Sequence, residues 1–151
     1  MAKAKQAAWV RLVREPLTPL EQARLPRKVT SPDDVVQFMS ERVEQALVEI
    51  FWVLYLNTRS RIVGCEEVTR GLLNSSLVHP REVFRGAIAA GAAAIIVAHN
   101  HPSGDPEPSA EDKLVTRQLV AAGKLLDIPV YDHLILCPNG QHISLLALGV
   151  L

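Results

Sequence analysis

The chain has 151 residues, 48% of them hydrophobic, which is enough for one domain with a single sizeable core. Sixteen Lys and Arg balance sixteen Asp and Glu, so no field of the whole molecule draws it to nucleic acid or to an anionic membrane. Two cysteines, Cys65 and Cys137, are too few for a disulfide framework and form no CxxC pair, which points to a reducing, cytoplasmic setting.

Residues 1–30 hold seven basic residues against Glu15 and Glu21, a net charge of +5, and leave the remainder at −5. Pro16, Pro19 and Pro26 break any sustained period there, so the segment reads as an extended basic arm, with the domain running from residue 31 to 151. Arg11 and Arg14 interrupt the apolar residues Ala7 to Val10, so no signal-peptide core forms. Ser31, Pro32 and Asp34 mark a helix start. That helix is predicted to run to about Leu47, with Val35, Phe38, Met39, Val43, Ala46 and Leu47 on its packed face.

Ile50 to Leu56 is a continuous β-favouring run, as for a strand buried on both faces, and is predicted to form the centre of the sheet. A turn at Asn57 to Ser60 joins it to a second strand over Arg61 to Thr69. Gly71 to Val78 reads as a connection holding a possible short strand. Pro80 opens the next helix, with Val83, Phe84, Ala87 and Ile88 as its packed stripe and Gly91 as its stop. The apolar run from Ala87 to Ala98 falls short of the roughly 20 residues that a membrane span needs. Ala94 to Ala98 is a short strand that delivers His99 to its end.

After a proline-rich loop, Ser109 caps a third helix whose Leu114, Val115, Leu119, Ala122, Leu125 and Leu126 are expected to face the core. Val130 to Leu136 and His142 to Leu146 flank Asn139-Gly140, a strong hairpin signal. The sum is an α/β domain in which three helices flank a mixed sheet.

The chemistry concentrates between His99 and Asp112. His99 and His101, two residues apart at a strand end, point to the same side, because strand side chains alternate with period two. Asp112, in the first turn of the following helix, is placed where the loop can fold it back as a third ligand. Zinc accepts such a set and keeps a fourth position for water when the site is catalytic. Ser109 to Asp112 is also a helix-start pattern that serves stability alone. Glu49 stands at the mouth of the most buried strand and is the candidate general base, although the sequence alone favours its simply ending the preceding helix. Ser109 is a candidate donor to a developing oxyanion, besides its capping role. Glu66 and Glu67 compete as bases but are expected to face solvent. Asp105 and Glu107 read as solvated acids, His142 as exposed, His133 as a hydrogen-bonded structural residue, and Cys137 as a buried small residue.

The stretch His99-Asn100-His101-Pro102-Ser103-Gly104-Asp105, with Pro108-Ser109 and Asp112, resembles the JAMM signature of MPN-type metallohydrolases, in the form found in the bacterial RadC family. His79-Pro80-Arg81-Glu82, the run from Glu49 to Asn57 and Asp132-His133-Leu134-Ile135 are similar too, so the resemblance covers about residues 31–149. It implies a cytidine-deaminase-like (JAB/MPN) sandwich, zinc held by His99, His101 and Asp112, and Glu49 as the glutamate acting through the activated water. The implied activity is amide hydrolysis of the metallopeptidase or isopeptidase type, with a peptide or protein substrate. Longer RadC-like chains carry an N-terminal helical domain where this chain has only its basic arm, and Leu72 stands where family members often place Thr.

Other functions fit less well. A zinc nucleobase deaminase needs His-x-Glu and Pro-Cys-x-x-Cys, and the chain has neither. A RadC-like DNA-repair or DNA-processing factor would bind DNA through the arm at residues 1–30, since the domain behind it is net negative. Oligomeric state, homodimer included, is not encoded in these patterns.

Overall fold

The computed structural model describes residues 28–71 and 78–151, together with positions 19 and 23. Nearly all of the basic arm expected over residues 1–30, the possible short strand after Gly71, and Leu72 lie outside the described residues. Val29 is tied to the domain, its N–H donating to the Ser60 carbonyl at 2.8 Å.

The described chain forms α1 (Pro32–Gln45), β1 (Ile50–Leu56), β2 (Ile62–Arg70), α2 (Pro80–Ala89), β3 (Ala94–Asn100), α3 (Ala110–Leu126), β4 (Val130–Leu136) and β5 (His142–Ser144). The sheet order is β2-β1-β3-β4-β5. Only β3 and β4 are parallel, with α3 as their crossover, and the other neighbours are antiparallel, so the sheet is mixed. The central strand is β3, with β1 beside it, a correction to the expectation that Ile50 to Leu56 lies at the centre. Both strands are buried along their whole length, which is why apolarity alone did not rank them.

Alternation along the strands builds two cores. Trp52, Leu54, Leu56, Ala94, Ile96 and Ala98 pack against Val35, Phe38, Met39 and Val43 of α1. Phe51, Val53, Tyr55, Ile95 and Val97 pack on the other face against Val83, Phe84 and Ala87 of α2 and Val115 and Leu119 of α3. Odd-numbered residues at the ends of β1 and β3 therefore emerge on the α2/α3 side, and this places the site.

Several apolar residues expected in the core are exposed. Ala46 leaves the helical conformation, so Leu47 lies beyond α1 and is 90% exposed. Ile88 and Leu114 fall off the 3.6-residue stripe of their helices and are 60% and 49% exposed. Leu125, also off the stripe, and Leu126 sit in the last turn of α3 and are exposed as well. Among the described residues, no helix is long and apolar enough to cross a membrane.

Candidate metal centre

Each of the three candidate ligands is placed by a short-range feature of the chain. His99 is the penultimate residue of β3 and fully buried, stacked at 6.1 Å on Phe51, its partner across the β1–β3 ladder. His101 follows one residue beyond the strand and stays on the same side. Asp112 is the third residue of α3. There its Oδ2 accepts the Ser109 N–H at 2.9 Å while its own N–H donates to Ser109 Oγ at 3.0 Å, a complete capping box. The helix start expected from the sequence is thus also the device that fixes the acid.

Hydrogen bonds determine which nitrogen of each histidine faces the centre. Thr116 Oγ1 donates to the Asp112 carbonyl at 2.7 Å, so toward His133 Nδ1, 2.6 Å away, it acts as acceptor. His133 therefore carries its proton on Nδ1. Full burial, with His99 alongside, holds this imidazole well below its ordinary pKa and keeps it neutral. Its Nε2 then accepts from His99 Nδ1 at 2.8 Å, which leaves the lone pair of His99 on Nε2. His101 reaches the same state by donating from Nδ1 to the Asp105 carbonyl at 2.8 Å.

Two nitrogen lone pairs consequently face each other at 3.0 Å, with Asp112 Oδ1 at 3.3 Å from His99 Nε2 and Oδ2 at 3.6 Å from His101 Nε2. Such a set repels itself unless a proton or a metal cation sits among its members. The proton affinities carry the same signature. Burial would raise the Asp112 carboxyl, but the adjoining His101 and His99 imidazoles outweigh it and hold the group well below the usual carboxylate range. Asp112 in turn raises the His101 imidazole, against burial. Ligands about 2.0–2.1 Å from a tetrahedral ion lie roughly 3.4 Å apart, close to the separations found here. His99, His101 and Asp112 can hold a metal ion.

The centre opens into a cleft of about 300 Å³. Glu49 and Ser109 line it, with Phe51, Val78 and Val115 as apolar wall. Residues 29–150 match the family model of the RadC-like JAB domain. The chain belongs to that family. A UPF0758 protein of Methanosarcina acetivorans is 47% identical over 145 residues, which cover 95% of this chain and 62% of the relative. A UPF0758 protein of Caldanaerobacter subterraneus subsp. tengcongensis is 50% identical over 117 residues, 78% of this chain and 50% of that protein. The chain thus spans 62% or less of the length of these relatives.

Within this RadC-like JAB domain the remaining candidates separate clearly. Glu67 is exposed and pairs with Arg70 at 2.6 Å, whereas Glu66 faces α2 and accepts the Tyr55 hydroxyl, contrary to the expectation that both face solvent. Asp105 and Glu107 are exposed acids, although the Asp105 carbonyl orients His101. His142 is half-buried on β5 and lies 3.6 Å from Asp33, so it is not the exposed residue expected. Cys137 is buried as expected. His133 is the hydrogen-bonded residue the sequence suggested, but its bond to a candidate ligand was not foreseen. Thr116 was missed entirely, although it lies four residues beyond Asp112 and so on the same helix face.

Proposed function

We propose that the chain is a zinc-dependent amide hydrolase of the JAMM type, acting on a peptide or protein substrate. The observation that carries this reading is the convergence of His99 Nε2, His101 Nε2 and the Asp112 carboxylate, all acceptors, at the floor of a cleft lined by a glutamate. Zinc bound there would polarise a substrate carbonyl and make hydroxide available near neutral pH.

The protein's own groups supply the rest. The Glu49 carboxylate takes a proton from the attacking water as its oxygen bonds to the carbonyl carbon, and returns it to the amine nitrogen as the C–N bond breaks. Ser109 Oγ uses a lone pair on the Asp112 N–H, which leaves its hydroxyl proton free for the oxyanion. Phe51, Val78 and Val115 exclude bulk water from one side of the cleft. Three acids, Glu49, Glu111 and Asp112, line it with no Lys or Arg among the described residues. That supports an amide substrate over a phosphodiester, which would meet like charge.

The test is elemental analysis of protein purified without chelator, followed by hydrolysis of a panel of fluorogenic α-peptide and lysine-isopeptide amides. One equivalent of zinc and zinc-dependent cleavage are expected. Well under one equivalent after reconstitution overturns the zinc assignment, and zinc without cleavage across the panel counts against hydrolysis. His133→Ala is expected to weaken zinc by about 10- to 100-fold, because His99 loses the partner that fixes its tautomer. His142→Ala, remote on β5, should leave affinity unchanged. Competition with a calibrated chelator measures both, and equal affinities for wild type and His133→Ala would show that the Thr116–His133 chain does not tune the ligand.

A further inference from the structure

Asn100 stands between the two histidines, yet as an even-numbered residue of β3 it projects toward the α1 side of the sheet. It is fully buried, where an unpaired carboxamide would be costly, and both ends of its side chain are paired. Its Oδ1 accepts the Ile50 N–H at 2.7 Å and its Nδ2 donates to the Val48 carbonyl at 2.9 Å. These two peptide groups flank one residue, Glu49. The first β1–β3 pair is Phe51 with His99, so the carboxamide extends the ladder where the backbones no longer pair. On the other side the Glu49 carbonyl accepts the Gly71 N–H at 2.9 Å, from a glycine at φ 107°, a conformation other residues rarely adopt.

We propose that Asn100 is the positioning residue for Glu49. Its carboxamide locks the backbone of the base to the strand that carries His99 and His101, so the distance from base to metal centre is set by one rigid unit. The inference rests on the hydrolase reading for its consequence, while the clamp itself is measurable without any substrate.

The experiment compares wild type, Asn100→Ala, Asn100→Asp, Glu49→Gln and the double variant Asn100→Ala/Glu49→Gln, all as the full chain. ¹⁵N relaxation is expected to show the Glu49 and Ile50 amides falling from rigid order parameters of about 0.85 to below about 0.6 in Asn100→Ala. Zinc content should remain at the wild-type level, because neither bond involves a ligand side chain. Hydrolysis of the amides cleaved by wild type should fall by about 10²-fold in kcat with KM little changed, the size expected for a misplacement of about 1 Å. In the Glu49→Gln background the same substitution should cost nothing further, since Asn100 acts through Glu49.

Unchanged order at residues 49 and 50, or a full additional loss in the double variant, overturns the proposal. If wild type cleaves no amide, the hydrolase reading fails while the relaxation result still decides the clamp. Asn100→Asp keeps the acceptor for Ile50 and should give intermediate order. Loss of folded structure in both Asn100→Ala and Asn100→Asp would assign Asn100 to stability and overturn the positioning role.

Discussion

Glu49→Gln is expected to retain one equivalent of zinc while hydrolysis falls by about 10²- to 10⁴-fold, the range for loss of a general base. The two consequences separate because the residue is held by its backbone. Asn100 grips the Val48 and Ile50 peptides and Gly71 grips the Glu49 carbonyl, so exchanging carboxylate for carboxamide leaves every one of these bonds in place. What disappears is the carboxylate proposed to accept the proton. Elemental analysis and initial rates on the same preparation check both parts. Loss of zinc in this variant would make Glu49 a ligand. Retained activity would move the base elsewhere, and Glu111 is the other glutamate lining the cleft.

The convergence of the candidate ligands His99, His101 and Asp112 was legible in the sequence because each of its determinants is local. Alternation put His99 and His101 on one side, and the pattern Ser109-x-x-Asp112 fixed the acid within a capping box. Glu49 was harder, since its placement depends on β1 pairing with β3, a contact between residues about 50 positions apart. The Thr116–His133–His99 chain was out of reach for the same reason. It needs the parallel register of β3 with β4, which brings His99 opposite Ile135 and so sets His133 one step away on the same face. Asn100 illustrates a different blindness. A polar residue inside the motif looked like part of the site, yet the pleat turns it to the other face, and only its hydrogen bonds reveal what it holds.

The helix stripes failed where the count of apolar residues exceeded the surface available. Val115, Leu119 and Gly123 of α3 are buried, and with them the face presented to β1 and β3 is filled. Leu114 and Leu125 lie about 80–100° round the helix from Val115 and meet solvent instead. Apolar identity said that these residues were compatible with a core; the geometry of one helix on one sheet face decided which of them reached it.

Asp112 is expected to show the largest metal effect, and its two roles can be taken apart. Asp112→Ala removes both the proposed ligand and the Oδ2 that accepts the Ser109 N–H, so it should lose zinc and also cost about 1 kcal/mol of helix capping. For a domain of this size that corresponds to a drop of about 2–4 °C in Tm measured with chelator present. Asp112→Asn keeps an amide oxygen for the cap but withdraws the negative charge, so it should lose most zinc affinity with little change in that Tm. Added zinc sharpens the contrast. At a free concentration of 1,000 times Kd, binding stabilises the wild-type fold by about 4 kcal/mol, a rise on the order of 10 °C in Tm. Neither variant should respond at that concentration. A zinc-induced rise in Asp112→Asn equal to that of wild type would show that the carboxylate serves the helix alone and that the third ligand lies elsewhere.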